Sequence, residues 1–240
     1  MKKILRAALL LGFVACFTST RAQESAVKAS DDIARIRTEI RQGKREAIIE
    51  AGNGHDPVFV PDLKNLQGSK IAKQEKLSRP IRIALAQLGD AAALQETYCR
   101  VEGKYYLVKA DAIEDDLTEI GGWFSIQLLE RQLDEDHMKT PKAYFKRVAP
   151  DFIVPSPANL ALIALPKVAK DSPLPSPNAI ESQMAASQAR IDAWKAWIKE
   201  NSASLKTRQP IGEHLNTSAN ACKKYHSVEK SWLEEVAPSK

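Results

Sequence analysis

Two stretches of this chain read alike at a spacing of 34 residues, and that repeat constrains the fold more than any other feature. The first starts at Arg45 (REAIIEAGNGHDPVFVPDLKNL) and the second at Arg79 (RPIRIALAQLGDAAALQETYCRV). Each reads as a helix, a short turn and a second helix. A fixed period in this range marks stacked helical hairpins, whose apolar faces are buried only against successive neighbours.

Residue chemistry supports the two hairpins in detail. In the first, Ala47, Ile48 and Ala51 share one helical face. Asn53-Gly54 stops the helix, Asp56 caps the next one, and Pro57 fits its first turn. Val60, Leu63 and Leu66 line the inner face of that second helix, and Pro61 delays its start by up to a turn. Residues 67–78 read as a polar connector. The second hairpin opens at Ser78-Arg79-Pro80, carries Ile81, Leu85 and Leu88 inward, turns at Gly89-Asp90 and continues through Ala93, Leu94 and Tyr98. Upstream, Ile33, Ile36 and Ile40 form a narrow stripe on a helix capped by Asp31 or Asp32. Such a polar-faced helix suits the end of a stack.

These residues carry a resemblance. Arg45-Glu46-Ala47-Ile48-Ile49, the Asn53-Gly54-His55-Asp56-Pro57 turn and the run Ala84 to Leu94, with its Leu-Gly-Asp turn, resemble HEAT-type repeats of the short bacterial kind. The match covers roughly residues 44–100. It implies a right-handed superhelix of helical hairpins that serves as a binding scaffold. The connector at 67–78 is longer than the usual link in that family.

The remaining chain is expected to be helical as well. Tyr105 to Val108 reads as an extended connector or the start of a packed helix, because a single strand is not stable alone. Ile120, Phe124, Leu128, Leu129 and Leu133 share a face, and Gly121-Gly122 divides that stretch into two helices. Asp111, Glu114, Asp115, Asp116 and Glu119 read as a solvated acidic face. Further helices are expected after Thr140-Pro141 and after Ser156-Pro157, the latter halted near Pro166. Residues 171–177 (DSPLPSP) form a stiff linker and the best internal boundary. Beyond it, Asn178 and Glu181 stand as a capping box for a helix with Ile180, Met184, Ile191, Trp194 and Ile198 on one face. Trp194 and Trp197 either face a partner, such as a sugar or peptide, or dock this helix on the main body. Docking is the commoner use of such a pair. The fold class is therefore all-α, with a signal segment at 1–22, a HEAT-like domain at 23–170, the linker, and a C-terminal helical segment at 178–240.

The N-terminus carries an address. Lys2, Lys3 and Arg6 precede an apolar run from Ala7 to Phe17, and small residues at Thr20 and Ala22 place cleavage after Ala22. This predicts export to the periplasm or medium, with no membrane span in the mature protein. Lipidation at Cys16 is the alternative, since Phe13-Val14-Ala15-Cys16 loosely resembles a lipobox. Of the formal net charge of +5, four positive charges (Lys2, Lys3, Arg6 and Arg21) leave with the signal. A nearly neutral mature chain lacks the electrostatic footprint of a nucleic-acid binder. Two cysteines then remain, Cys99 and Cys222. In an oxidising compartment they are either a disulfide or two buried thiols.

Catalytic signatures are sparse. His55, His137, His214 and His226 include no helical i, i+4 pair. The sequence holds no Cys-x-x-Cys, no Gly-rich phosphate loop and no nucleophile elbow. No catalytic, cofactor-binding or metal-ligating residue is assigned from the sequence. It points to a secreted or periplasmic scaffold whose partner is a protein. The alternatives are an extracytoplasmic hydrolase using scattered carboxylates, or a lipid-anchored envelope protein.

Overall fold

The structure is a computed structural model, and it describes residues 29–101, 110–134, 157–175, 188–208, 215–218 and 221–223. Among these residues every regular element is a helix. The signal segment, Cys16, the 140–148 helix, the Asn178–Glu181 capping box, Met184, and His137, His214 and His226 lie outside the described residues. Helix α1 covers residues 29–41. It is followed by α2 (Arg45–Asn53), a 3-10 turn (Pro57–Phe59), α3 (Val60–Gln67), α4 (Lys70–Gln74), α5 (Ser78–Gln87) and α6 (Ala91–Val101). Then come α7 (Ala110–Ile120), α8 (Gly122–Gln132), α9 (Pro157–Val168) and α10 (Gln188–Arg208).

Local sequence chemistry sets these boundaries. The carboxylates of Asp56 and Asp90 each accept a hydrogen bond at 3.0 Å, from Val58 N–H and Ala93 N–H respectively. Both therefore start the second arm of their hairpin in the same way. α1, α4 and α5 end alike: the residue at C′ has positive φ (Gly43, Lys76, Gly89), and the next N–H reaches back five residues to a helix carbonyl. That is the Schellman closure, which satisfies carbonyls left open at a helix end. Pro57 and Pro61 produce a 3-10 turn before the α-helix proper, in line with the delay expected at Pro61. The polar connector at 67–78 needs correction. It contains α4, whose N–H at Ala72 is capped by Ser69 Oγ at 3.1 Å, and Ala72 and Leu77 are buried. Small Ala and capping Ser signals were outweighed in the sequence by the surrounding lysines and glutamines.

Packing follows the order of the chain. α2 lies on α5, α5 on α6 and α7, α7 and α8 on α9, and α8 on α10. The two segments that repeat in sequence are thus helical and in direct contact. Gly52 makes their closest approach possible: a Cβ there would stand 2.9 Å from Ala84 Cα. Ile40, Ile48, Leu63, Ile81, Leu85, Leu117, Phe124 and Leu129 are fully enclosed. Each contributes roughly 1.5–3 kcal/mol by leaving water.

Two expectations from the acidic and C-terminal segments are revised. Asp116 is not solvated. It is buried between α5 and α7, because Arg79 and Arg82 of α5 supply it with two guanidinium partners. α9 continues through Pro166 to Val168, so the proline sits inside the last turn instead of ending the helix. On α10 the stripe Ile191, Trp194 and Ile198 is buried, as its spacing predicts.

Candidate binding cleft at the helix ends

The C-terminal ends of α2, α5, α7 and α9 open onto one cleft of about 440 Å³, which α10 closes from the side. Its apolar wall is Trp123, Ile126, Trp197 and Leu205. Its polar rim includes His55, Gln87, Glu119 and Lys170. The volume falls in the range of ordinary ligand sites, which combine an apolar wall with a few directional polar groups.

The rim is assembled by contacts between helix ends 32 or 34 residues apart. Gln87 Nε2 donates to Asn53 Oδ1 at 3.1 Å, 34 residues earlier, and to the Glu119 carbonyl at 2.8 Å. One side chain therefore ties together the ends of α2, α5 and α7. His55 has φ of 52°, a left-handed conformation that histidine tolerates better than most residues. Its Nδ1 lies 3.3 Å from the Gln87 carbonyl, a contact that is a hydrogen bond only with the proton on Nδ1. Gly121 (φ 71°) joins α7 to α8, and nothing lies within 4 Å of where a Cβ would stand, so bare backbone faces the opening.

A buried charged seam supports the rim. Arg82 Nη2 donates to Asp116 Oδ2 at 2.6 Å, and Arg79 Nε donates to Asp116 Oδ1 at 2.8 Å. Arg79 Nη2 also holds Glu119 at 2.7 Å, fixing that carboxylate beside the cleft. Burial alone would lower the Arg79 pKa; Asp116 and then Glu119 outweigh it, and the pKa is raised. Both carboxylates are thereby already matched by guanidinium partners.

The residues singled out by sequence fall in two places. Trp194 is 2% exposed and packs into the core. Trp197 packs against it edge to face, with ring centroids 5.6 Å apart, and is only half-buried, lining the cleft. Cys99 and Cys222 are disulfide-bonded with Cα atoms 5.3 Å apart. They lie on α6 and the C-terminal segment, away from the residues that line the cleft. One turn before Cys99, Gln95 pairs with both backbone groups of Asn216, accepting its N–H at 2.9 Å and donating to its carbonyl at 3.0 Å. His55, Gln87, Glu119, Trp123 and Lys170 were not picked out from sequence as one site. Their only shared signal is that each sits at or next to a helix terminus.

Among the described residues no cluster of three or more His, Cys, Asp or Glu side chains is placed to hold a metal ion. Among them, too, no helix is long and apolar enough to cross a membrane. Fold and cleft together define an all-helical protein with a ligand-sized opening at the ends of successive helices. Compared with protein-family models, curated proteins and solved structures, the chain matches none.

Proposed function

We propose that this chain is a secreted or periplasmic scaffold of HEAT-like helical hairpins, and that it binds a partner protein through the cleft at its helix ends. The observation that carries this reading is the register of the contacts. Gln87 meets Asn53, and Arg82 meets Asp116, each across 34 residues, while α2, α5 and α7 pack in succession. Contacts that recur with the sequence period are what repeat stacking requires. The half-exposed Trp197 supports the choice of face, since tryptophan beside a polar rim is a common anchor in protein interfaces.

The test is co-purification of the tagged mature chain from an extracytoplasmic fraction, comparing wild type with Trp197→Ala. A specific partner retained by wild type and lost by the variant, with far-ultraviolet spectra unchanged, is the expected result. Failure to retain any partner overturns the scaffold reading, and equal retention by both proteins removes the cleft from it. N-terminal sequencing of the exported protein is expected to begin at Gln23. An acylated Cys16 would replace the secreted reading with the anchored one.

A further inference from the structure

We propose that the Cys99–Cys222 bridge is an exchange site for an external dithiol, which attacks it at Cys222, and that its opening frees the C-terminal segment from α6; this is independent of what the cleft binds.

The two sulfurs are not equivalent. Cys99 is 2% exposed and belongs to the core, whereas Cys222 is half-buried and Lys223 beside it is exposed. A thiolate breaks a disulfide in line, entering on the side of the attacked sulfur that faces away from the leaving one. For attack on Cys222 that is the side turned away from α6. For attack on Cys99 it is the side filled by the packing that buries this residue. Lys223, with Lys224 next in sequence, adds positive charge at the open end and favours the approach of a thiolate anion.

The sulfur that departs already has a donor. Gln95 Nε2 lies 3.6 Å from Cys99 Sγ and 3.0 Å from the Asn216 carbonyl, so the two amide hydrogens serve both. A bond to sulfur strengthens as negative charge develops there. In the first step one reductant thiolate forms an S–S bond to Cys222 Sγ. The Cys99–Cys222 bond breaks, and its electron pair leaves on Cys99 Sγ, which takes a proton from water. The reductant's second thiol then displaces Cys222. The dithiol is oxidised to a disulfide, and Cys99 and Cys222 are reduced to thiols.

Little else shown among the described residues fastens this segment. Gln95 accepts the Asn216 N–H at 2.9 Å and donates to its carbonyl, but both bonds are exposed, where water competes for the same groups. Leu215 is only partly buried against the core. Other bonds of the segment are internal: Ser218 N–H donates to Asn216 Oδ1, and Ala221 N–H to the Ser218 carbonyl. Those bonds shape the segment without attaching it. The crosslink is therefore its main attachment to α6, and cutting it uncovers Gln95 and Cys99.

The test uses the full mature chain with its bridge intact. Reduced glutathione, a monothiol that stops at the first step, is added briefly. Acid stops the reaction, free thiols are alkylated in denaturant, and the adducts are mapped by mass spectrometry. Glutathione is expected on Cys222 and the alkyl group on Cys99, with the reverse pattern at least about tenfold rarer. In parallel, dithiothreitol should speed hydrogen exchange at the Asn216 amide by at least about tenfold while the far-ultraviolet helical signal at room temperature is unchanged. Equal adducts on the two cysteines, preference for Cys99, or no adduct at all overturns the assignment of the exchange site. Loss of helical signal on reduction, or an Asn216 amide that stays protected, overturns local release of the segment.

Discussion

Arg82 and Asp116, 34 residues apart, form an ion pair at 2.6 Å with side chains only 3% and 4% exposed, so a charge pair held out of water ties α5 to α7. Its two members are not equivalent. Asp116 also accepts from Arg79, whereas among the described residues Arg82 has only Glu96 at 3.7 Å and Thr97 at 3.4 Å besides Asp116.

That asymmetry predicts unequal mutational costs. Asp116→Leu strands a buried guanidinium and is expected to cost about 3–5 kcal/mol. Arg82→Met leaves Asp116 paired with Arg79 and is expected to cost about 1–3 kcal/mol. The double variant should be less destabilised than Asp116→Leu alone. Urea unfolding of the three variants measures this, and equal costs for the two single changes would refute the stated asymmetry.

Gly52 sets the distance between α2 and α5. A Cβ there would lie 2.1 Å from Gln87 Oε1 and 2.9 Å from Ala84 Cα. The glutamine end can swing away, but the Ala84 backbone cannot. Gly52→Ala is therefore expected to destabilise by about 1–3 kcal/mol through overpacking, despite the better helix propensity of alanine. Adding Gln87→Ala should recover only part of that loss. Full recovery in thermal unfolding would mean that the helices are not in backbone contact at this point.

The helices were legible because their signals are local. Asp56 and Asp90 cap N–H groups two and three residues on, and Ile48, Leu63, Ile81 and Leu85 lie on the buried faces of their helices. The cleft was not legible, because Gln87, Glu119, Lys170 and Trp197 meet only through tertiary packing. The same reason hid Asp116. An acidic run reads as solvated unless one knows that Arg79 and Arg82 face it from another helix. The charge class of a residue is local information, whereas its partner is not. Gln132 shows the limit from the other side. It is fully buried on α8, and neither of its amide atoms finds a hydrogen-bond partner among the described residues, which no local pattern foretells.

Glu130 on α8 gives a pH prediction. Burial raises its pKa above the ordinary 4.5; Lys195 acts against this and Asp134 adds to it. A carboxyl with a raised folded-state pKa favours folding while protonated, and that contribution is lost as pH rises through the folded value. Glu130→Gln removes this loss. Wild type and variant should melt at similar temperatures near pH 4, with the variant gaining relative to wild type towards pH 7. A difference that stays constant, or grows in favour of wild type, would show that the attraction of the Lys195 charge dominates instead.

The disulfide gives the last prediction, because it closes a long loop on one helix. Cys99 and Cys222 are separated by 123 residues, and Gln95 fastens Asn216 one helical turn from the bridge. Removing the crosslink releases chain entropy in the unfolded state, so Cys222→Ser is expected to cost about 2–5 kcal/mol. Gln95→Ala loses two hydrogen bonds that are exposed to solvent and should cost about 1 kcal/mol. The two variants should differ in their response to reductant. Dithiothreitol should lower the melting temperature of wild type and of Gln95→Ala, and leave Cys222→Ser unmoved. Hydrogen exchange at the Asn216 amide adds a local readout: its protection should fall in both variants, since the clasp and the bridge hold the same segment against α6. If reductant shifts Cys222→Ser as much as wild type, the stability attributed to the crosslink lies elsewhere in the chain.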